Sequence, residues 1–150
     1  MPDGRTHRLV GVAAGTLYAG YRAWRQRPGH VLIESVGGAL GGFVGARLPD
    51  VFDPPRYPGH RSLAHGFVPV STAGSLIVAA LDRWQGSLSA KADRHAELRR
   101  AAVTLLERLW HGIMELLCRL VSGALAGLIA GYGSHVMLDA RTPAGIPLIA

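Results

Sequence analysis

Glycine recurring every fourth residue constrains this chain more than any other feature. Gly123, Gly127, Gly131, His135 and Asp139 form one such row, and in an α-helix residues four apart share a face. A face without side chains lets a second backbone come very close, so the row asks for a tightly packed helical partner. The same spacing occurs as Gly38, Gly42, Ala46 and Asp50, with Gly37, Gly41 and Gly45 beside it, and as His7, Gly11, Gly15 and Ala19. Three small-residue rows predict an all-α fold: a compact antiparallel helical bundle held by glycine-rich contacts. Each row also meets a histidine or an aspartate, the side chains a divalent metal uses.

Hydropathy places that bundle at a membrane. Apolar segments run from Leu9 to Tyr21, Val31 to Leu48, Leu63 to Leu81 and Gly112 to Leu138. As helices they measure roughly 20, 27, 28 and 40 Å, against about 30 Å of bilayer hydrocarbon. Twenty glycines and a mean hydropathy of +0.21 support the assignment. Glu34, Arg47, Glu115 and Arg119 lie within or at the edges of these segments, and each would cost several kcal/mol facing lipid. The expectation is therefore a membrane-embedded bundle, spanning with polar inner faces or lying partly in the interface, as a single domain over 1–150. The basic Arg5, His7 and Arg8 followed by an apolar run superficially resemble a secretory signal. No clean small-x-small cleavage site precedes Arg22, Arg25 and Arg27, which favours an uncleaved first helix.

Between the third and fourth apolar segments, residues 82–111 turn polar. Lys91, Arg94, Arg99, Arg100 and Arg108 alternate with Leu98, Ala102, Leu105, Leu106 and Leu109, which reads as an amphipathic basic helical insertion for a membrane surface, a partner or the side of the bundle. Pro49 is expected to stop the second helix, and the prolines of Asp50 to Gly59 to make a rigid, Pro-rich active-site loop. Cys118 is the one cysteine; it allows no intramolecular disulfide and no cysteine zinc cage, and reads as a small buried hydrophobe. The net charge of +6 suits membrane lipids with anionic headgroups or a phosphate-bearing substrate. Basic and aromatic residues do not interleave as base-stacking platforms would, which argues against nucleic acid as a partner.

Chain direction then gathers the candidate ligands. In an antiparallel bundle with short connections, His7 opens the first helix and Asp50 closes the second at the same end. The proline-rich loop keeps Asp53 and His60 there, and His65 falls in the first turn of the next helix. The last long segment returns to that end with His135 and Asp139. Glu34 lies at the opposite end, roughly 24 Å from Asp50 by helical rise, and reads as structural or ion-paired. His30, His95 and His111 read as solvated or capping residues.

Taken in order, Leu48-Pro49-Asp50, His60-Arg61-Ser62-Leu63-Ala64-His65, Gly131-Tyr132-Gly133-Ser134-His135 through Asp139, and Thr142-Pro143-Ala144-Gly145-Ile146 resemble the YdjM-like family of inner-membrane metal-dependent hydrolases. The resemblance covers nearly the whole chain, least clearly 82–111, and extends to His7. It implies a divalent metal, zinc by preference and one or two ions, held by His7, Asp50, His65, His135 and Asp139. Water activated by that metal would attack a phosphoester or other lipid-like substrate. His60, Arg61 and Asp53 would be the catalytic residues: His60 as proton shuttle or further ligand, Arg61 binding substrate anion, and Asp53 orienting a ligand histidine. Relatives carry a second aspartate two residues after the first, where this chain has Phe52 and then Asp53. The helix-borne His-x-x-x-Asp step is also similar to that of zinc-dependent phospholipases C and related nucleases. The competing expectation is a non-catalytic membrane protein whose polar cluster or structural metal serves assembly or partner binding.

Overall fold

The chain is built from helices α1 (Gly4–Ala23), α2 (Pro28–Gly45), α3 (Leu48–Phe52), α4 (Phe67–Ala101) and α5 (Leu105–Ala140). The computed structural model describes residues 4–52 and 67–140, with side chains from 74 onward in the second stretch. Helix α5 is the centre of the bundle and packs against α1, α2, α3 and α4, while α1 also packs against α2. This is the all-α antiparallel bundle expected from the glycine rows.

Those rows form the seams. A Cβ on Gly41 would overlap the carbonyl of Ala124, and one on Gly127 the carbonyl of Gly38. The α2 and α5 backbones are thus in direct contact, and only hydrogen fits between them. On the other side of α2, Gly42 lies against the Gly11 carbonyl and Gly15 against that of Gly38. The buried apolar set is correspondingly small-sided, with Ala19, Ala23, Ala46, Ala92, Ala96 and Ala126 joined by Cys118 and Leu125. Large apolar side chains point outward instead, among them Leu17, Leu32, Leu40, Leu76, Leu105 and Leu116. Polar residues inside and leucines outside reverse the pattern of a water-soluble domain. Two helical stretches, Pro28–Phe52 and Leu105–Ala140, are long and apolar enough to cross a membrane.

Two local expectations need correction. Helix α2 ends at Gly45, before Pro49, which instead sits in the first turn of α3. A first-turn proline lacks only an N–H that has no intrahelical partner there, so Asp50 to Phe52 are helical; the rest of the expected loop lies outside the described residues. The 82–111 stretch is not an element of its own. Its first twenty residues continue α4 and its last seven begin α5, because nothing stops the helix until Ala102-Val103-Thr104. There the Thr104 N–H donates to Glu107 Oε2 at 3.1 Å and the Glu107 N–H to Thr104 Oγ1 at 3.2 Å. This reciprocal capping box starts α5. At about 1.5 Å per residue α4 and α5 each exceed 50 Å, so their hairpin reaches well beyond the ends of α1 and α2.

Candidate metal centre

His7 occupies the first turns of α1, and its row faces inward at every fourth residue: His7, Gly11, Gly15, Ala19 and Ala23 are all buried. His135 and Asp139 end the equivalent row of α5. Because glycine brings α1, α2 and α5 so close, the first side chains beyond the ridges necessarily meet. His7, His135 and Asp139 are 5%, 1% and 3% exposed. Each offers a ligand atom, and the three lie within 4.8 Å of one another. His7 Nε2 stands 3.4 Å from Asp139 Oδ1, and His135 Nε2 stands 3.5 Å from Asp139 Oδ2. The two imidazoles stack with centroids 4.0 Å apart.

Asp50, carried by α3, reaches the same point: its Oδ1 is 3.5 Å from His135 Nε2. Its side chain is 41% exposed and forms part of the wall of a cavity of about 300 Å³ lined also by His7, Arg8, Ala46, Arg47 and Val51. The cavity thus reaches the triad at His7, and two arginines, Arg8 and Arg47, are among its lining residues.

A backbone contact sets the protonation of His135. Its Nδ1 lies 2.6 Å from the carbonyl oxygen of Ala46, and since a carbonyl only accepts, Nδ1 carries the hydrogen. Nε2 is then the nitrogen turned toward Asp139 and Asp50, the orientation a metal-ligating imidazole requires. Tetrahedral coordination at 2.0–2.1 Å implies donors about 3.3 Å apart; each histidine stands at about that distance from one oxygen of Asp139, while the three ligand atoms taken together lie within 4.8 Å. The three side chains together form a group that could hold a metal ion.

Among the expected site residues, His7, Asp50, His135 and Asp139 come together as chain direction required; Asp53, His60, Arg61 and His65 lie outside the described residues. Arg8 and Arg47 at the cavity, and the carbonyl of Ala46, were not anticipated as parts of the site. Arg8 follows His7 directly and Arg47 follows the α2 row, so adjacency to the rows was the available signal; a backbone carbonyl leaves none.

Glu34 lies at the other end, as expected, in a separate polar network. Arg119, fully buried, sits 3.5 Å from Glu34 and 3.4 Å from Glu115, and donates to Gln26 at 2.7 Å and Asp93 at 2.8 Å. Ser122 donates to Glu34 at 3.3 Å and accepts from Gln85 at 2.9 Å. Glu34, Glu115 and Arg119 thus pair with one another inside the bundle and avoid lipid, whereas Arg47 is exposed. His30 belongs to this network, 3.0 Å from Glu115, and His95 approaches His111 at 3.0 Å. All three make specific contacts, in place of the solvated or capping roles expected of them.

An inside-out helical bundle with a buried His/Asp cluster at one end defines an integral membrane protein with a candidate metal centre. A family model described as YdjM inner membrane protein matches residues 1–150, and the chain belongs to that family. It is accordingly an inner-membrane protein. No curated protein and no solved structure matches the chain.

Proposed function

We propose that this protein is a membrane-bound metal-dependent hydrolase acting on a phosphoester of a lipid-like substrate. The observation that carries the reading is the convergence of His7, His135 and Asp139 beneath a cavity flanked by Arg8, Arg47 and Asp50. The three buried side chains would hold the ion, zinc by the preference of two imidazoles and a carboxylate, with Asp50 as a further ligand. When bound, such an ion brings the pKa of a water toward about 7 and neutralises charge on a phosphoryl oxygen.

The chain's own residues do the rest. The Ala46 carbonyl holds His135 in the ligating tautomer, and the stacked His7 ring limits its rotation. Arg8 and Arg47 suit a phosphate anion at the cavity mouth, Arg in particular offering paired N–H donors. Val51 and Phe52, 62% and 72% exposed beside Asp50, provide an apolar flank for the hydrocarbon part of a lipid. Arg61 as a further anion contact, His60 as proton shuttle, His65 as ligand and Asp53 as an orienting carboxylate complete the proposal. Nucleic acid has no place in it.

Turnover decides the matter. Purified protein is expected to hydrolyse members of a phosphoester panel in mixed micelles, and to lose that activity in His135→Ala and in Asp139→Ala while its helical circular dichroism persists. Activity retained in both variants would sink the site. Bound metal at unit stoichiometry without turnover of any phosphoester would replace the hydrolase with a structural metal centre serving assembly.

A further inference from the structure

The α4–α5 hairpin carries a second histidine pair. His95 of α4 and His111 of α5 face each other across the antiparallel seam, with their Nδ1 atoms 3.0 Å apart and their rings 5.2 Å apart and tilted by 38°. Two imidazole nitrogens at that distance cannot both carry hydrogen on the facing atoms. Either one proton is shared between them, or both lone pairs converge on a cation. We infer that His95 and His111 form a second divalent-metal site, independent of the His7 centre, for a late first-row ion such as zinc or copper.

Three observations support this. The separation is close to the roughly 3.3 Å between donors on a tetrahedral ion with 2.0–2.1 Å bonds. Two of the neighbouring cations are engaged: Arg99, one turn beyond His95, pairs at 3.2 Å with Glu115, one turn beyond His111, and Arg108 donates to the Ala102 carbonyl at 3.0 Å. That ion pair and the Arg119–Asp93 contact at 2.8 Å fix the register of the two helices around the histidines. Finally, both rings are only half-buried, so water can supply the remaining ligands of a two-histidine site. Imidazole with water suits zinc, nickel and copper, and among divalent ions copper binds most tightly. The site would clip the hairpin shut by joining α4 to α5 close to their connection, adding stability that rises with the logarithm of free metal above its dissociation constant.

The test uses full-length protein in detergent with copper(II) as probe. In a His135→Ala/Asp139→Ala background one equivalent of copper should remain, with nitrogen hyperfine structure from two imidazoles in its paramagnetic resonance spectrum. Adding His111→Ala should weaken binding at least tenfold and remove that pattern, and His95→Ala should do the same. If the background protein does not fold, the otherwise wild-type chain serves: its stoichiometry should fall by one equivalent with His111→Ala while the His7 centre stays loaded. Unchanged affinity and an unchanged spectrum without His111 would overturn the site and leave a pair that only shares a proton.

Discussion

His135 donates from Nδ1 to the carbonyl oxygen of Ala46 at 2.6 Å, tying the last turns of α5 to the turn that ends α2. That bond turns Nε2 toward Asp139 and Asp50 and makes the ring's orientation a property of the backbone. The centre should therefore depend steeply on the three buried ligands and less on the exposed one. His7→Ala, His135→Ala and Asp139→Asn are each expected to lower zinc affinity by at least tenfold to a hundredfold. Asp50→Asn should lower it less while still slowing turnover. Competition against a chromophoric chelator measures all four; equal losses at Asp50 and Asp139 would contradict the difference in their burial.

Metal removal should be visible in stability. A ligand bound only by the folded state at a hundred times its dissociation constant adds about 2.7 kcal/mol. Stripping the protein with a strong chelator is expected to lower its thermal midpoint, and zinc should restore it. The His135→Ala/Asp139→Ala protein should show no such difference at zinc concentrations too low to load a two-histidine site.

The glycine seams make a sharper structural prediction. At Gly41 an added Cβ would overlap the Ala124 carbonyl, whereas at Gly86 it would meet nothing within 4 Å. Gly41→Ala should force α2 and α5 apart and cost about 1–3 kcal/mol, as overpacking does. Gly86→Ala, in the interior of α4, should instead stabilise by roughly 0.5–1 kcal/mol through helix propensity. Unfolding in detergent of the two variants side by side gives the comparison, and a Gly41→Ala protein as stable as Gly86→Ala would refute backbone contact at the α2–α5 seam.

Arg119 is the residue whose loss should hurt most at the far end. Its side chain is 0% exposed, and Glu34 beside it is 1% exposed. Arg119→Leu would leave Glu34 buried without its guanidinium, while Glu115 keeps that of Arg99; the change is expected to cost about 3–5 kcal/mol. Replacing Glu34 with Gln at the same time should recover part of that loss by removing one stranded charge. A double-mutant cycle on unfolding free energies measures the coupling; strict additivity would mean that the two do not interact.

Spacing carried most of this architecture. Rows of small residues at every fourth position identified which faces meet, and chain direction alone brought His7, Asp50, His135 and Asp139 to one end. What spacing could not reveal was continuity: the shift from apolar to basic residues after Leu81 looked like a boundary, yet α4 passes through it because polarity changes a helix's surroundings without breaking its hydrogen bonds. The true break at Ala102-Val103-Thr104 was signalled by the Thr104-x-x-Glu107 capping box. Nor could it reveal α3, where Pro49 starts a helix, since proline ends one helix and opens another by the same missing N–H. Partner choice within the buried network also escaped it. Glu34 needed an ion partner by physics, but Arg119 became that partner only through the register of α2 on α5.

The outward leucines lead to the last prediction. On α2, Leu40 is 57% exposed while its neighbour Gly41 is buried against α5. If water surrounded this face, Leu40→Arg would be a surface change worth at most about 0.5 kcal/mol in either direction. In a bilayer the same arginine lies near the middle of the α2 span and should cost about 2.5–3.5 kcal/mol of insertion free energy. Leu40→Arg is thus expected to reduce membrane insertion of α2 strongly, whereas Leu40→Phe should leave it unchanged. Insertion can be scored by glycosylation of engineered acceptor sites flanking α2. Equal insertion of the arginine and phenylalanine variants would mean that this face of α2 does not lie against lipid.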